Sequence, residues 1–415
     1  MTDDVRTPAS VTRKKITLPN AAVGRDYQAQ VAFAADAAAT VTDATATGLD
    51  ELGLRFDPAT CTVGGSPEKA GDFPFSFRAT VEAGSSGPAQ TVELEGVLTV
   101  NPDPKTLWRD IASDPAGRFA KPDDECRSLL EDGTLVVAAS RRGRSHAHEG
   151  RYRDDEFGFR RLKNGWWLIA VADGAGSAPY SRRGSQVAVS AALDKLDELL
   201  DDRNDASLLE SVARLNGGDD AAKKAMKLQL YEVLVRAAYA GATAIETEAA
   251  EQKESERDLA STLLIAMYRK IEATHFVAAF GIGDGGVALL RLDSDQAIPL
   301  TVADTGEYAG QTRFLTTTEF ATAERAIARL HFECVDDFTA LVLMTDGVSD
   351  PLLQGDEELG DLARWRELWE RELAPALDTG GGAESVEHRL LSWLDFYSAN
   401  NHDDRTLAIL LPAKS

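Results

Sequence analysis

Residues 166–174 read WWLIAVADG, a run of apolar residues that ends abruptly in aspartate and glycine. A strand with apolar side chains on both alternating faces must be covered on both sides, so the run predicts a buried strand. Asp-Gly after it is ordinary turn chemistry, because Asp makes local hydrogen bonds and Gly supplies positive φ. The same ending recurs in HFVAAFGIGDG (275–285) and TALVLMTDG (339–347), and an acidic pair, Asp403-Asp404, precedes the run TLAILLP (406–412). LVVAAS (135–140), STLLIAMY (261–268) and VALLRL (287–292) complete the set of expected strands. One Asp-Gly is a turn, but three in one domain invite a further reading. Strands of one sheet end near each other, so Asp173, Asp284 and Asp346 converge, and their mutual repulsion calls for a cation. Ligands that are all oxygen select Mg2+ or Mn2+ over zinc, which prefers His and Cys. Two such ions about 4 Å apart can clamp phosphate oxygens for in-line displacement. The chemistry implied is phosphate hydrolysis.

The chain of 415 residues is roughly two to three times the usual domain size, so two domains are expected. Its 43% hydrophobic and 27% charged residues exclude wholesale disorder and fibrous repeats. Setting 44 Lys and Arg against 68 Asp and Glu leaves a net charge of −24, a field that repels nucleic-acid backbones and anionic lipid. Neither nucleic acid nor a membrane is an expected partner. No run reaches the roughly 18 apolar residues of a membrane span, and the first residues lack the apolar core of a signal peptide, so the cytoplasm is the expected location. Cys61, Cys126 and Cys334 are odd in number, far apart and without CxxC spacing, which predicts thiols and neither a disulfide framework nor a zinc knuckle.

Between the strands at 166–173 and 261–268 the apolar positions switch to helical period, with Met226, Leu230, Val233 and Ala237 spaced four, three and four apart. The highly charged residues 246–258 read as a solvated helix face. Residues 357–377, with Trp365 and Trp369 four apart, read as another amphipathic helix whose tryptophans face the core. Clustered strands separated by long helical stretches predict an α+β domain over residues 120–415. Ahead of it, residues 1–14 are expected to be flexible, and residues 15–101 show short alternating runs punctuated by Gly and Pro, the pattern of a small all-β sandwich. That segment resembles bacterial Ig-like repeats through Leu18-Pro19, Val23-Gly24, Tyr27, Gly65, Pro67, Gly71 and Phe73. Asn101-Pro102-Asp103-Pro104 opens a linker, expected to run over residues 102–119.

In order, Asp154-Asp155 with Phe157, VADG-x-G (171–176), Ser261-Thr262, GDG (283–285), TDG-x(2)-D (345–350) and DD-x-T (403–406) resemble the metal-dependent, type 2C or PPM-type, serine/threonine protein phosphatases. The resemblance spans roughly residues 130–412. It implies a β-sandwich of two antiparallel sheets flanked by helices, and hydrolysis of phosphoserine and phosphothreonine in proteins with two Mn2+ or Mg2+ ions and a third, weaker site. Asp173 then corresponds to the carboxylate that bridges both ions, with the Gly174 carbonyl on one of them. Asp346 and Asp403 correspond to further ligands of the first ion, Asp154 stands where the family has a metal-binding Glu or Asp, and Asp155 corresponds to its neighbour that orients water on the metal. Asp284, Asp346 and Asp350 match the third site, while Thr406 and Ser261-Thr262 take supporting roles.

Three positions depart from the family pattern. Where members carry Arg four residues ahead of the acidic pair to grip phosphate, this chain has Gly150, which leaves Arg151, or else Arg153 or Arg144, for that task. The turn written DGHG in some members is DGAG here, with Ala175, so His146 or His148 is the candidate proton donor. GDSR becomes GDGG, which removes a side chain near the third site. The segment SH-x(3)-G (145–150), a flap at 306–314 and the long helical insertion resemble a bacterial subgroup. Its members sit beside a protein kinase and a von Willebrand-type protein, the partners implied here. A pseudophosphatase that keeps the fold as a binding module is the competing reading, and a two-metal phosphodiesterase or nuclease on another fold is disfavoured by the net charge.

Overall fold

The structure, a computed structural model, describes residues 11–34, 39–82, 89–103, 106, 108–215, 220–302, 312–353, 356–378 and 384–413. The chain divides into two compact units, Met1–Trp108 and Arg109–Ser415.

The first unit is all β: β1 (Val11–Lys15), β2 (Ala21–Ala22), β3 (Tyr27–Gln30), β4 (Thr40–Thr47), β5 (Leu54–Asp57), β6 (Thr62–Gly65), β7 (Gly71–Glu82) and β8 (Gln90–Asn101). One sheet runs β1-β8-β7-β4 with β2 also on β8, and the other runs β3-β6-β5. Leu54, Val63, Phe77 and Leu98 are among the apolar residues buried together in this unit. Tyr27 Oη donates to the Pro19 carbonyl at 2.9 Å, which ties the Leu18-Pro19 and Tyr27 positions of the repeat pattern together. Residues 11–14, expected to be flexible, instead pair in parallel with β8 as part of β1, because the edge of that long strand offers free ladder groups.

The second unit contributes β9 (Asp124–Glu131), β10 (Thr134–Arg141), β11 (Glu156–Arg161), β12 (Trp167–Ala172), β13 (Leu263–Ile271), β14 (Thr274–Ile282), β15 (Gly286–Arg291), β16 (Gln296–Pro299), β17 (Leu330–Val335), β18 (Ala340–Met344) and β19 (Arg405–Leu411). Its helices include α1 (Arg144–Glu149), α2 (Ser181–Leu199), α3 (Asp202–Leu215), α4 (Asp220–Leu230), α5 (Arg236–Gln252), α6 (Ala323–Ala328), α7 (Asp346–Leu353) and α8 (Leu362–Leu368). Two sheets, β16-β15-β18-β19-β10-β9 and β11-β12-β13-β14-β17, are antiparallel throughout. Trp167, Ile169 and Val171 of β12 share a buried cluster with Val136, Leu289, Leu343 and Ala408 of the facing sheet. Trp166, Leu168, Ala170 and Ala172, on the opposite face, pack with Ala188, Leu193 and Leu196 of α2 and Ala238 and Ala242 of α5. The other sheet's outer face packs on Val348, Trp365, Leu368 and Leu390. Both sheets are thus inner layers of a helix-sheet-sheet-helix stack, which is why antiparallel strands here carry unbroken apolar runs.

Met226, Leu230, Val233 and Ala237 are buried as their spacing predicts, with a π-helical turn, Tyr231–Val235, joining α4 to α5. The charged stretch 246–258 is only partly solvated, since the buried Glu248 pairs with both Arg183 Nε and Nη2 at 2.9 Å. Residues 109–119, expected to be linker, hydrogen-bond into the second unit: Ile111 N–H to the Ala147 carbonyl at 2.9 Å and Tyr152 Oη to the Asp114 carbonyl at 2.6 Å. No helix among the described residues is long and apolar enough to cross a membrane.

Ladder register brings the acidic turns together. Glu156 pairs with Ala172, Val171 with Leu264, Gly286 with Met344, and Met344 with Leu407. The residues just outside these pairs, Asp155, Asp173, Asp284, Asp346 and Asp403-Asp404, therefore emerge at one end of the sandwich. The core that fixes this register should be sensitive to truncation: Ile169→Ala should lower the unfolding free energy by about 2–5 kcal/mol in urea titrations. Leu130→Ala, at a position 65% exposed, should change it by less than about 0.5 kcal/mol.

Candidate metal centre

Asp173 directly follows β12. Its N–H donates to Thr262 Oγ1 at 2.9 Å, and its carbonyl accepts from Ser261 Oγ and the Thr262 N–H, each at 2.8 Å. Ser261-Thr262 thereby fasten the peptide that carries the carboxylate. One oxygen each of Asp173, Asp284 and Asp346 lie within 4.8 Å of one another. Asp346 is the first residue of α7, and Asp284 sits in the turn between β14 and β15, where Thr312 Oγ1 donates to its Oδ2. Asp155, fully buried, accepts from Thr345 Oγ1 at 2.8 Å and Thr406 Oγ1 at 2.7 Å, both on Oδ2. Asp155 Oδ1, Asp284 Oδ1 and Asp346 Oδ1 are left buried without a hydrogen-bond donor. Unsatisfied buried acceptors are rare in folded proteins, and three in one acidic cluster fit the coordination demand of a hard divalent cation.

A second group, His146, Asp154 and Asp404, lies beside the first. Asp404 Oδ1 accepts the Gly143 N–H at 2.6 Å and faces His146 Nδ1 at 3.1 Å, while its Oδ2 accepts the Asp154 N–H at 2.5 Å. The adjacent Asp403 accepts the Asp404 N–H on Oδ1 at 2.8 Å. Close backbone approach needs glycine at two points here. A Cβ on Gly174 would lie 2.6 Å from the Asp154 carbonyl oxygen, and one on Gly347 would lie 1.9 Å from that of Asp404.

The charges follow from this crowding. Burial, then repulsion from Asp346, Asp155 and Asp403, holds Asp173 well above the usual carboxylate range. Burial and then Asp284 and Asp403 do the same to Asp346. Burial and Asp404 push Asp155 up to about 7 and Asp154 up to about 6. Burial opposes a charge on His146, but the carboxylates of Asp404, Asp154 and Asp403 together outweigh it and raise the imidazole to about 9. Burial likewise opposes the charge on Asp404, and there His146 and two backbone N–H groups prevail, holding it below its ordinary value.

A family model described as Protein phosphatase 2C matches residues 142–395. The chain belongs to the protein phosphatase 2C family. It is accordingly a metal-dependent phosphatase of the hydrolase class by family. No curated protein matches it. Among solved structures it is similar to the catalytic domain of the serine/threonine phosphatase PstP in complex with two manganese ions, at 19% identity over 67% of this chain and 97% of that one, TM-score 0.39. Similar too are PstP/Ppp of Mycobacterium tuberculosis (18% identity, 68% and 99% covered, TM-score 0.38) and Stp1 of Staphylococcus aureus (11%, 71% and 96%, TM-score 0.38).

Within this protein phosphatase 2C unit the candidate residues fall into distinct settings. Arg151 reaches the acidic cluster, with Nη2 on the Gly176 carbonyl at 2.6 Å and 3.6 Å from Asp154 Oδ2, and keeps 39% of its side chain exposed. Arg153 is buried against Ser140 and Glu125, and Arg144 is bonded to Asp395 and the Phe396 carbonyl. His146 is 4% exposed at Asp404, whereas His148 Nδ1 accepts the Arg109 N–H. Asp284 and Asp346, two of the three residues matched to the third site, group with Asp173, and Asp350, on α7, feels the charges of Asp284 and Asp403. Residues 306–311 of the expected flap lie outside the described residues. Asp404 and Thr345 lie inside the motifs DD-x-T and TDG-x(2)-D without a role assigned to either, yet Asp404 holds His146 and the Asp154 N–H while Thr345, like Thr406, bonds the Asp155 carboxylate directly.

In the metal-free protein Asp154, Asp155, Asp173 and Asp346 retain protons that the unfolded chain releases, so stability should fall as pH rises from about 4 toward about 7. A divalent ion competes with those protons. A fixed Mn2+ concentration should therefore raise the melting temperature more at about pH 7.5 than at about pH 5.5 by scanning calorimetry, and equal increments would contradict the assignment.

Proposed function

We propose that the chain removes phosphate from phosphoserine and phosphothreonine of protein substrates, with Asp154, Asp173, Asp346, Asp403 and the Gly174 carbonyl holding two Mn2+ or Mg2+ ions. Asp284, Asp346 and Asp350 provide for a third, weaker site. The observation that carries this reading is the cluster of buried carboxylate oxygens with no hydrogen-bond donor at the convergent strand ends. Bound there, the ions supply Lewis-acid charge to the phosphate oxygens and make a water molecule acidic enough to attack at neutral pH. The protein's own groups do the rest. Asp155, with Oδ2 fixed by Thr345 and Thr406, offers Oδ1 to orient that water. Arg151, partly exposed at the rim, binds the substrate phosphate. His146 is too deeply buried to meet a leaving group easily, and its contacts support a role in holding Asp154 and Asp404 in place.

The first unit is proposed to be an Ig-like docking module, and a cognate protein kinase and a von Willebrand-type protein are proposed as partners of the chain, in the cytoplasm. Its motif at Leu18-Pro19 and Tyr27 supports the Ig-like reading.

Hydrolysis of p-nitrophenyl phosphate and of a phosphothreonine peptide should require Mn2+ or Mg2+ and stop in EDTA. Asp173→Asn should lower turnover by on the order of 10³-fold, because one substitution weakens both ions. Asp350→Asn should cost less than about tenfold. His146→Ala should depress both substrates by the same factor if it positions, and the peptide far more than p-nitrophenyl phosphate, which has a good leaving group, if it donates a proton. Wild-type protein that binds two Mn2+ yet turns over neither substrate would establish a pseudophosphatase. Removing residues 1–104 should leave p-nitrophenyl phosphate hydrolysis intact, and loss of it would make the first unit part of the catalytic fold.

A further inference from the structure

Directly behind Asp154 and Asp155 the chain buries two cations that the reaction does not touch. Lys121, its side chain 1% exposed, donates from Nζ to the Asp155 carbonyl at 2.5 Å and to Glu156 Oε2 at 2.8 Å. Arg153, with no exposed surface, donates from Nη1 to the same carbonyl at 2.9 Å and to Ser140 Oγ at 2.5 Å, and from Nη2 to Glu125 Oε2 at 2.9 Å. Ser140 Oγ bonds Thr406 Oγ1 at 2.6 Å, and Thr406 donates to Asp155 Oδ2 at 2.7 Å. Both the carbonyl and the carboxylate of Asp155 are therefore gripped from this side.

Lys121 stands before the family-matched residues 142–395, on a segment bound down by the second unit. Arg182 donates to the Phe119 carbonyl at 3.1 Å and the Arg118 carbonyl at 2.7 Å, and Ser113 Oγ bonds Asp123 Oδ1 at 2.6 Å. A buried ammonium is costly to desolvate and persists where its partners are fixed. Here one of those partners is the backbone of the acidic pair itself.

We propose that Lys121 is a positioning residue for the metal centre: together with Arg153 it clamps the Asp155 carbonyl and so fixes the backbone that carries Asp155, with Asp154 next to it, against the repulsion of their neighbours. The inference rests on the metal-centre reading above. Displacing such ligands by fractions of an ångström is what loss of a supporting contact does to metal sites.

Lys121→Met alone strands Glu156, so the decisive variant is the full-length double substitution Lys121→Met/Glu156→Gln, which removes the buried pair together. It should keep a melting temperature within a few degrees of wild type while weakening calorimetric Mn2+ binding by about 10–100-fold. With p-nitrophenyl phosphate, kcat should fall by a similar factor and KM should hold, because Lys121 touches no substrate. Glu156→Gln alone, which spares the bond to the carbonyl, should retain most of the Mn2+ affinity. A folded double variant that binds Mn2+ as wild type does overturns the proposal. So does a double variant that cannot fold, since Lys121 would then serve stability alone. If wild type binds Mn2+ without turnover, the phosphatase reading falls while the affinity comparison still decides this one.

Discussion

Two like charges 4 Å apart near a protein surface repel by about 4 kcal/mol, and the second unit gathers aspartates at such range at one end of its sandwich. The sheets hold them there by register: a pair such as Met344 with Leu407 cannot slip without turning every apolar side chain to the wrong face. Hydroxyls and backbone groups then fix individual carboxylates, Thr345 and Thr406 on Asp155, Ser261-Thr262 on the Asp173 peptide, and Gly143 with His146 on Asp404. What those donors leave over, the free oxygens of Asp155, Asp284 and Asp346, fits the coordination demand of a hard divalent cation. A divalent ion bound there would relieve the repulsion that the fold imposes.

That division of labour explains which parts of the chain could be read from its residues. The inner strands were legible because being covered on both faces demands unbroken apolar runs, and each run at 135–140, 166–173, 261–268, 275–284, 287–292, 339–346 and 406–412 overlaps an observed strand. Their Asp-Gly endings were legible because a ligand at a strand end leaves a local mark. Other features carry no such mark. Lys121 looks like any surface lysine, yet it is buried under the acidic pair by contacts to residues 34 and 35 positions away. Glu248 looked solvated among charged neighbours, yet Arg183, 65 positions earlier, encloses it. Residues 11–14 looked frayed because their pairing partner, β8, lies far along the chain. Periodicity and turn chemistry report on local surroundings, and these cases turn on distant ones.

The departures from the family pattern also become physical statements. Gly150 removes the expected phosphate grip, and Arg151, one residue on, lies beside Asp154 with part of its guanidinium stem in solvent. Ala175 replaces a histidine in the turn after Asp173, and the imidazole of His146 approaches the same turn from α1: a Cβ built on Gly176 would lie 3.7 Å from its Nε2. Its pairing with Asp404, a second carboxylate at the last motif, makes it part of the site's charge balance.

The central claim, that the strand-end carboxylates of this protein phosphatase 2C unit form a two-ion centre bridged by Asp173, is tested most directly by anomalous scattering at the manganese edge from crystals grown with Mn2+. The account predicts two manganese peaks about 4 Å apart, with the Asp173 carboxylate between them. A lone peak away from Asp173, or no peak at saturating Mn2+, would contradict it.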